Sequence, residues 1–311
     1  MNIMVSVVIA MKNREKYIEE AIMSVLNQTF QDFEIVVLDD ASSDNSCKVV
    51  ESIEDKRIKL IKFQKHQGIA KIRNFGNKIA EGKYISIFDS DDIMPDSRLE
   101  VQYKYMEENL DIGVCGGGLT LLNEPDFYYF RSGDSETINI EQMFHTMVFH
   151  GTAMIRKSVL IKYDLKYREE LPYAEDWALW VDMINKVKMA NIDSNLLHYR
   201  VHDEGITIQT RTDSKEMKNR QERMADIFRN ALNNHGFKLE ENEIKLFIFY
   251  NSELNEYGKI PKYTDYIAMQ KLIEKMKKQT NQLGINESKF NKIAYEWIDH
   301  KAIQYGILKK K

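Results

Sequence analysis

The first hundred residues predict an α/β fold with a mostly parallel, doubly wound sheet flanked by helices. Three observations carry that expectation. Short apolar, β-branched runs alternate with stretches whose apolar residues recur every three or four positions, the β-α-β-α-β order of a parallel sheet. Two of those runs stop abruptly on acids, Asp39-Asp40 and Asp89-Ser90-Asp91-Asp92, as strands ending in a ligand cleft do. From about Asp213 the texture changes to amphipathic helices alone.

In chain order, Val5–Ala10 reads as the first strand and Tyr17–Leu26 as a helix presenting Ile18, Ala21, Ile22, Val25 and Leu26 on one face. Glu34–Leu38 is the second strand, and the helix over Asp44–Ile53 has Ser42, Ser43 or Asp44 as its cap. Arg57–Phe63 alternates as a strand, Ile69–Ala80 is helical, and Tyr84–Phe88 is the strand that runs into the three acids. Beyond Asp92 the pattern predicts a helix around Ser97–Asn109, a Gly116-Gly117-Gly118 cluster, an extended stretch to about Arg131, a strand at His150–Ile155, and a helix over Trp177–Lys186 with Glu175 and Asp176 in its first turn. Two apolar stripes follow, Met217, Met224, Ile227, Phe228, Ala231 and Leu232, then Phe290, Ile293, Ala294, Trp297, Ile298 and Ile303. They are expected to be core, which divides the chain into residues 1–212 and a C-terminal helical extension, 213–311.

Both acid pairs fall at carboxyl ends of strands, where ligands bind in open α/β sheets. Asp89 and Asp91 lie two apart and share a face in extended backbone, so both can reach one hard cation and the phosphates it carries. Taken alone, each motif has a bland alternative: an Asp-rich surface turn for Asp89–Asp92, a capping turn for Asp39-Asp40-Ala41-Ser42.

Composition narrows the classes. With 44 Lys and Arg against 48 Asp and Glu, the net charge of -4 gives no global basic field, and nucleic acid is not an expected partner. Met1–Ala10 is apolar but lacks a basic leader and a small-residue cleavage site, no 18-residue apolar run exists to span a membrane, and two scattered cysteines, Cys47 and Cys115, make no disulfide framework. The expectation is a cytoplasmic protein of the reducing cytosol. Lys309-Lys310-Lys311 allows at most peripheral contact with the inner face of a membrane.

Taken together, Val7-Val8-Ile9 with Asn13, Ser24-Val25-Leu26-Asn27-Gln28-Thr29, Val37 to Asp44, Gly68 with Arg73-Asn74, and Asp89-Ser90-Asp91-Asp92 resemble the family 2 glycosyltransferases of GT-A fold over roughly residues 4 to 100. The likeness continues through Tyr173-Ala174-Glu175-Asp176-Trp177 and His198-Tyr199-Arg200-Val201-His202. Met11 departs from the usual aromatic of that family, and Lys71-Ile72 stand where small residues are frequent. The resemblance implies inverting transfer of a sugar from a UDP-sugar donor to a glycan or lipid-linked acceptor, with Mn2+ or Mg2+. It implies that Asp91 ligates the metal, that Asp89 contacts the ribose or the metal shell with Ser90 beside the donor, and that Asp39 and Asp40 hold the uridine near Ala10 and Asn13. Asp176 is then the catalytic base, with Glu175 and Trp177 flanking the acceptor.

Elementary chemistry supports further roles. A neutral imidazole at His202 suits Mn-type cations, Arg73 suits diphosphate oxygens, and His150 is placed along the donor cavity. Ordinary structural readings stand beside these: polar surface for His202, a solvated helix residue for Arg73, and a helix first-turn acid for Asp176. Two other functions are open: a nucleotidyltransferase, which would want a glycine- and arginine-rich loop where Met11-Lys12-Asn13-Arg14-Glu15 has no glycine, and a catalytically inactive carbohydrate-binding or scaffolding homologue. A dinucleotide oxidoreductase is excluded, since no Gly-x-Gly-x-x-Gly follows the first strand. The C-terminal helices are expected to serve as a homodimer surface more readily than a membrane one.

Overall fold

The computed structural model describes residues 3–202, 214–252 and 260–309. The elements in order are β1 (Val5–Met11), α1 (Ile18–Leu26), β2 (Phe33–Asp39), α2 (Ser46–Ser52), β3 (Ile58–Lys62), α3 (Ile69–Ile79), β4 (Tyr84–Asp89), α4 (Arg98–Glu108), β5 (Ile112–Leu121), β6 (Glu124–Tyr129), α5 (Ser135–Glu141), β7 (Met154–Arg156), α6 (Lys157–Lys162), α7 (Glu175–Asp182) and β8 (Lys188–Tyr199). Four helices follow: α8 (Ser214–His235), α9 (Glu241–Asn251), α10 (Tyr263–Thr280) and α11 (Glu287–Gln304).

Among the described residues one eight-stranded sheet runs in the order β3-β2-β1-β4-β7-β5-β6, with β8 pairing β5. β3, β2, β1 and β4 are mutually parallel, β7 joins β4 and β5 antiparallel, and β8 runs parallel to β5. β1 and β2 are buried along almost their whole length, which is why they read as continuous apolar runs and not as alternating ones. The helix α3 lies close on that sheet at Gly76, where a Cβ would come 2.6 Å from Leu38 Cδ1 and 2.8 Å from Val8 Cγ1. The order 3-2-1-4 places a switch in winding direction between β1 and β4, so the carboxyl ends of β1, β2 and β4 meet at the point where open sheets bind ligands.

Three readings are corrected. His150–Thr152 is a single 3-10 turn, not strand, and only Met154–Arg156 pairs. The turn is forced by its surroundings: Gly151 packs between Leu197 and Asp89, and the buried Arg98 guanidinium takes its carbonyl. The Trp177 helix begins at Glu175 and stops at Asp182, and β8 follows where no strand was expected. Ile303 is 37% exposed, and Ala302 holds the buried place beside it. The side chain of Met217, the 212/213 boundary and Lys310-Lys311 lie outside the described residues.

The chain divides into two compact units, Met1–Asp134 with Val148–Leu179 and Lys186–Asp203, and Ser135–Met147 with Trp180–Asn185 and Glu204–Lys311. The second unit therefore takes in two segments from before residue 204. Within it Phe144 of the first segment packs on Phe247 and Trp297, and His235 bridges to Asn139 O at 2.9 Å.

Candidate active site

All the candidate residues lie in the first unit. β1 ends at Met11 and its following loop is stitched to the loop after β2. Asn13, with φ 53°, donates its backbone N–H to Ser42 Oγ at 2.8 Å and accepts at Oδ1 from Ser43 N at 2.8 Å. Glu15 accepts from Asn45 N at 2.8 Å, while Arg14 N donates to Ser46 Oγ at 2.6 Å. None of the three candidate caps holds the N-cap place, which Asn45 takes without a side-chain capping bond; Asp44, one residue before it, accepts from Ser46 N at 3.0 Å. Ala10 sits in register between Leu38 and Asp89, one residue short of this stitched loop.

Asp39 and Asp40 are both buried. Asp39 accepts from Ser42 N at 3.2 and 3.3 Å, closing the turn in which Ala41 takes φ 58°. Asp40 turns toward the loop before α3, accepting Gln67 N at 2.6 Å and Gly68 N at 3.1 Å, with His66 Nδ1 at 2.6 Å. Gly68 has φ 93°, a region that an L side chain rarely enters, so the loop needs glycine to present that N–H. The two adjacent acids thus fix different loops.

The second cluster surrounds Arg73, which is buried on α3. Its Nη1 lies 2.8 Å from Glu175 Oε1 and its Nη2 2.8 Å from Asp89 Oδ1. Burial raises the Asp89 carboxyl above the usual range, Asp91 and Asp176 push the same way, and Arg73 opposes them. Burial likewise raises Glu175, Arg73 opposing and Asp176 adding to the rise, and among the described residues Glu175 Oε2 has no hydrogen-bond partner. Asp176 accepts from Trp177 N at 2.7 Å in the first turn of α7, beside this network, and Trp177 itself is buried. Arg73 also stands 5.8 Å from the Tyr167 ring centre, and the Tyr167 hydroxyl is 2.9 Å from His150 Nε2. Burial, aided by Arg73, holds His150 well below the ordinary histidine range, so it is neutral at pH 7.

The third cluster is Asp91, with Oδ2 3.1 Å from Arg14 Nε and 3.0 Å from His202 Nε2. The His202 ring lies 4.6 Å from that of Tyr17, and Arg200 stacks over the same Tyr17 at 5.3 Å while donating to Asp91 O at 2.7 Å. Asp92 is buried and accepts Arg200 N at 2.8 Å; among the described residues its Oδ2 has no partner, and burial beside Asp89 and Asp91 raises its carboxyl well above the usual range. Ser90 is buried between them. Gly151 keeps the acids open, because a Cβ there would come 3.2 Å from Asp89 Oδ2. Among the described residues no three His, Cys, Asp or Glu side chains close into a metal cage.

The structure therefore gathers Asp89, Arg73, Glu175, Asp176 and His150 in one network, and Asp91 and His202 in a neighbouring one. It turns Asp39, Asp40 and Asn13 toward the loops. Arg14 and Tyr17 were not singled out from sequence; their signal was only a basic residue and an aromatic just after β1. Arg98 was missed altogether. It is fully buried, donates to Gly151 O at 2.7 Å, Ile87 O at 2.8 Å and Gln102 Oε1 at 3.0 Å, and braces the floor beneath the acids; burial lowers it to about 10.

Comparison with known proteins bears on the family and the fold. The family described as glycosyl transferase family 2 matches residues 6–164. An uncharacterized glycosyltransferase of Methanocaldococcus jannaschii is 36% identical over 214 residues, covering 64% of this chain and 71% of that protein. The O-antigen biosynthesis glycosyltransferase WbnJ of Escherichia coli is 29% identical over 213 residues, covering 64% and 80%. Against the first curated relatives the aligned stretch spans between 33% and 71% of their length. Among solved structures, S. aureus TarS 1-349 in complex with UDP-GlcNAc superposes with a TM-score of 0.66 at 21% identity, over 99% of this chain and 93% of that one. The sheet and its flanking helices thus share the GT-A fold.

Proposed function

The chain belongs to glycosyltransferase family 2, and from that premise we propose that it moves a sugar from a UDP-sugar to a hydroxyl of a glycan or lipid-linked acceptor, with inversion. The observation that carries the proposal is the Asp89–Arg73–Glu175 bridge, at 2.8 Å on each side, which joins the end of β4 to the first turn of α7 and sets Asp176 beside the switch point of the sheet. That arrangement fits an in-line displacement: the donor diphosphate lies along Asp89 and Asp91, and the acceptor approaches from the α7 side. Asp176 then takes the hydroxyl proton. Asp39, Asp40, Ala10 and Asn13 line the nucleoside end, with Ser90 and His150 along the donor and Glu175 and Trp177 on the acceptor side.

A divalent cation suits the residues present. Asp91 Oδ2 and His202 Nε2 are 3.0 Å apart, the separation of neighbouring ligands each about 2.1 Å from an octahedral ion. Asp89 stands next to them, and diphosphate oxygens and water would complete the shell, as is usual where few protein ligands are supplied. Such an ion, Mn2+ or Mg2+, would neutralise charge on the departing diphosphate. Arg200 and Tyr17 hold His202 in place, and Asp92 fixes the backbone that presents it.

The WbnJ and TarS similarities support a glycan-building role with a nucleotide-sugar donor. A panel of UDP-sugars assayed for transfer with Mn2+, Mg2+ or chelator tests the reading. Turnover of at least one donor that chelator abolishes is expected. Asp91→Ala should lose the metal-dependent part of UDP binding, and undiminished UDP binding in that variant would remove Asp91 from the donor site.

A further inference from the structure

We propose that Arg14 is a built-in counter-ion that occupies Asp91 until a divalent cation arrives together with a diphosphate, so that cation and nucleotide bind as a coupled pair and the cation alone binds poorly. The inference rests on the cation reading above and adds to it a residue that opposes the cation.

Asp91 Oδ2 accepts from two nitrogens at once, Arg14 Nε at 3.1 Å and His202 Nε2 at 3.0 Å. The three side chains are 13%, 18% and 11% exposed for Arg14, Asp91 and His202, so water screens the contacts little. Oδ2 cannot ligate a metal while it holds both donors, and a metal on the other carboxylate oxygen would still stand beside the guanidinium. His202 need not leave, because its Nδ1–H tautomer offers the Nε2 lone pair, and among the described residues Nδ1 has no partner that would forbid the proton. A guanidinium cannot do the same, since it keeps its protons at every accessible pH. Through either oxygen the ion arrives next to the Arg14 guanidinium, whose like charge opposes it and is offset when a diphosphate arrives with the ion.

Its tether limits where it can go. Arg14 Nη1 donates to Lys12 O at 3.2 Å and Asn13 O at 3.0 Å, and the backbone N–H is fixed to Ser46 Oγ at 2.6 Å. Its backbone is held at the loop after β2, so a guanidinium released from Asp91 stays near the Asp39-Asp40 turn. A nucleoside diphosphate held at that turn brings phosphate oxygens to the released fork, which suits their geometry. Either ligand then favours the other, and by linkage the coupling is equal in both directions.

Electron paramagnetic resonance of free Mn2+, titrated with the full chain with and without UDP, reads the coupling directly. In the parent protein UDP should tighten Mn2+ binding about tenfold or more, within the usual range of such couplings. Arg14→Gln should bind Mn2+ without UDP about tenfold more tightly than the parent, and the added effect of UDP should shrink by a similar factor. Arg14→Lys, which keeps the charge, should retain weak binding of the ion alone, and Arg14→Met serves if the glutamine variant fails to fold. Unchanged Mn2+ affinity in folded Arg14→Gln or Arg14→Met overturns the inference, as does equal tightening in Arg14→Lys. A parent protein that binds no Mn2+ even with UDP would instead sink the cation reading itself.

Discussion

The Arg73 guanidinium lies between carboxylates 16 and 102 positions away, and removing it takes the counter-charge from a Glu175 buried beside Asp176. Breaking a buried ion pair from one side costs about 3–5 kcal/mol. Arg73→Ala should therefore lower the urea midpoint severely, while Arg73→Ala combined with Glu175→Gln recovers part of the loss; a strictly additive double variant would show the pair to be energetically uncoupled. Asp176 makes a different demand. As the general base it should matter only to the proton transfer, so Asp176→Asn should cut transfer by about 10²–10⁴ with UDP affinity nearly unchanged. Parental turnover in that variant would assign the base elsewhere. The acids themselves were legible in sequence because strand ends at a switch point are where α/β sheets bind ligands. The partner of Arg73 was not, since a contact across 102 positions is set by the fold and leaves no local spacing to read. The same is true of Arg98, whose acceptors are mostly backbone carbonyls that no residue identity reveals.

At the scale of elements, β1 to β4 and their helices were readable because short apolar runs and helical periodicity alternate with turn chemistry, whereas β8 was not. Its sequence, Lys188 to Tyr199, buries only Met189, Ala190, Leu196 and Leu197 fully, and register shifts against β5 break the alternation. The amino ends of the strands are tied by a latch opposite the site. Glu34 Oε1 accepts Ser6 Oγ at 2.5 Å and Glu81 N at 2.6 Å, Ser6 Oγ accepts Gly82 N at 2.8 Å, and Lys59 lies 2.8 Å from Glu34 Oε2. Burial pushes the Glu34 carboxyl up, and the bonds from Lys59, Ser6 and Glu81 more than reverse it, leaving it below the ordinary value of 4.5. A carboxyl lowered in the folded state stabilises fully above its unfolded pKa, and that contribution fades as pH falls through the folded one. Glu34→Gln should thus cost about 1–3 kcal/mol at pH 7. It should also flatten the acid limb of the stability profile below pH 4.5. An unaltered acid limb would mean that the latch carries no net charge stabilisation. UDP binding, at the other end of the strands, should not change.

For the molecule as a whole, the two units differ in what a ligand can reach. Each proposed nucleoside, cation and acceptor residue falls within Met1–Asp134, Val148–Leu179 and Lys186–Asp203. The helices α8 to α11 have a core of their own, with Phe228, Phe247, Met269, Ile273, Phe290 and Ile298 buried, so their stability does not depend on filling the site. A chain of this kind need not unfold in one step, and a single melting temperature would merge two quantities. Ligand linkage separates them. UDP with Mn2+ at a hundred times its dissociation constant adds about 2.7 kcal/mol to whatever opening the ligand blocks. Hydrogen exchange should accordingly slow about a hundredfold at globally protected amides of β1, β2 and β4. The same experiment should leave α10 and α11 close to their ligand-free rates. Protection appearing in those two helices while β1, β2 and β4 stay unchanged would place the nucleotide in the second unit and contradict the site assigned here.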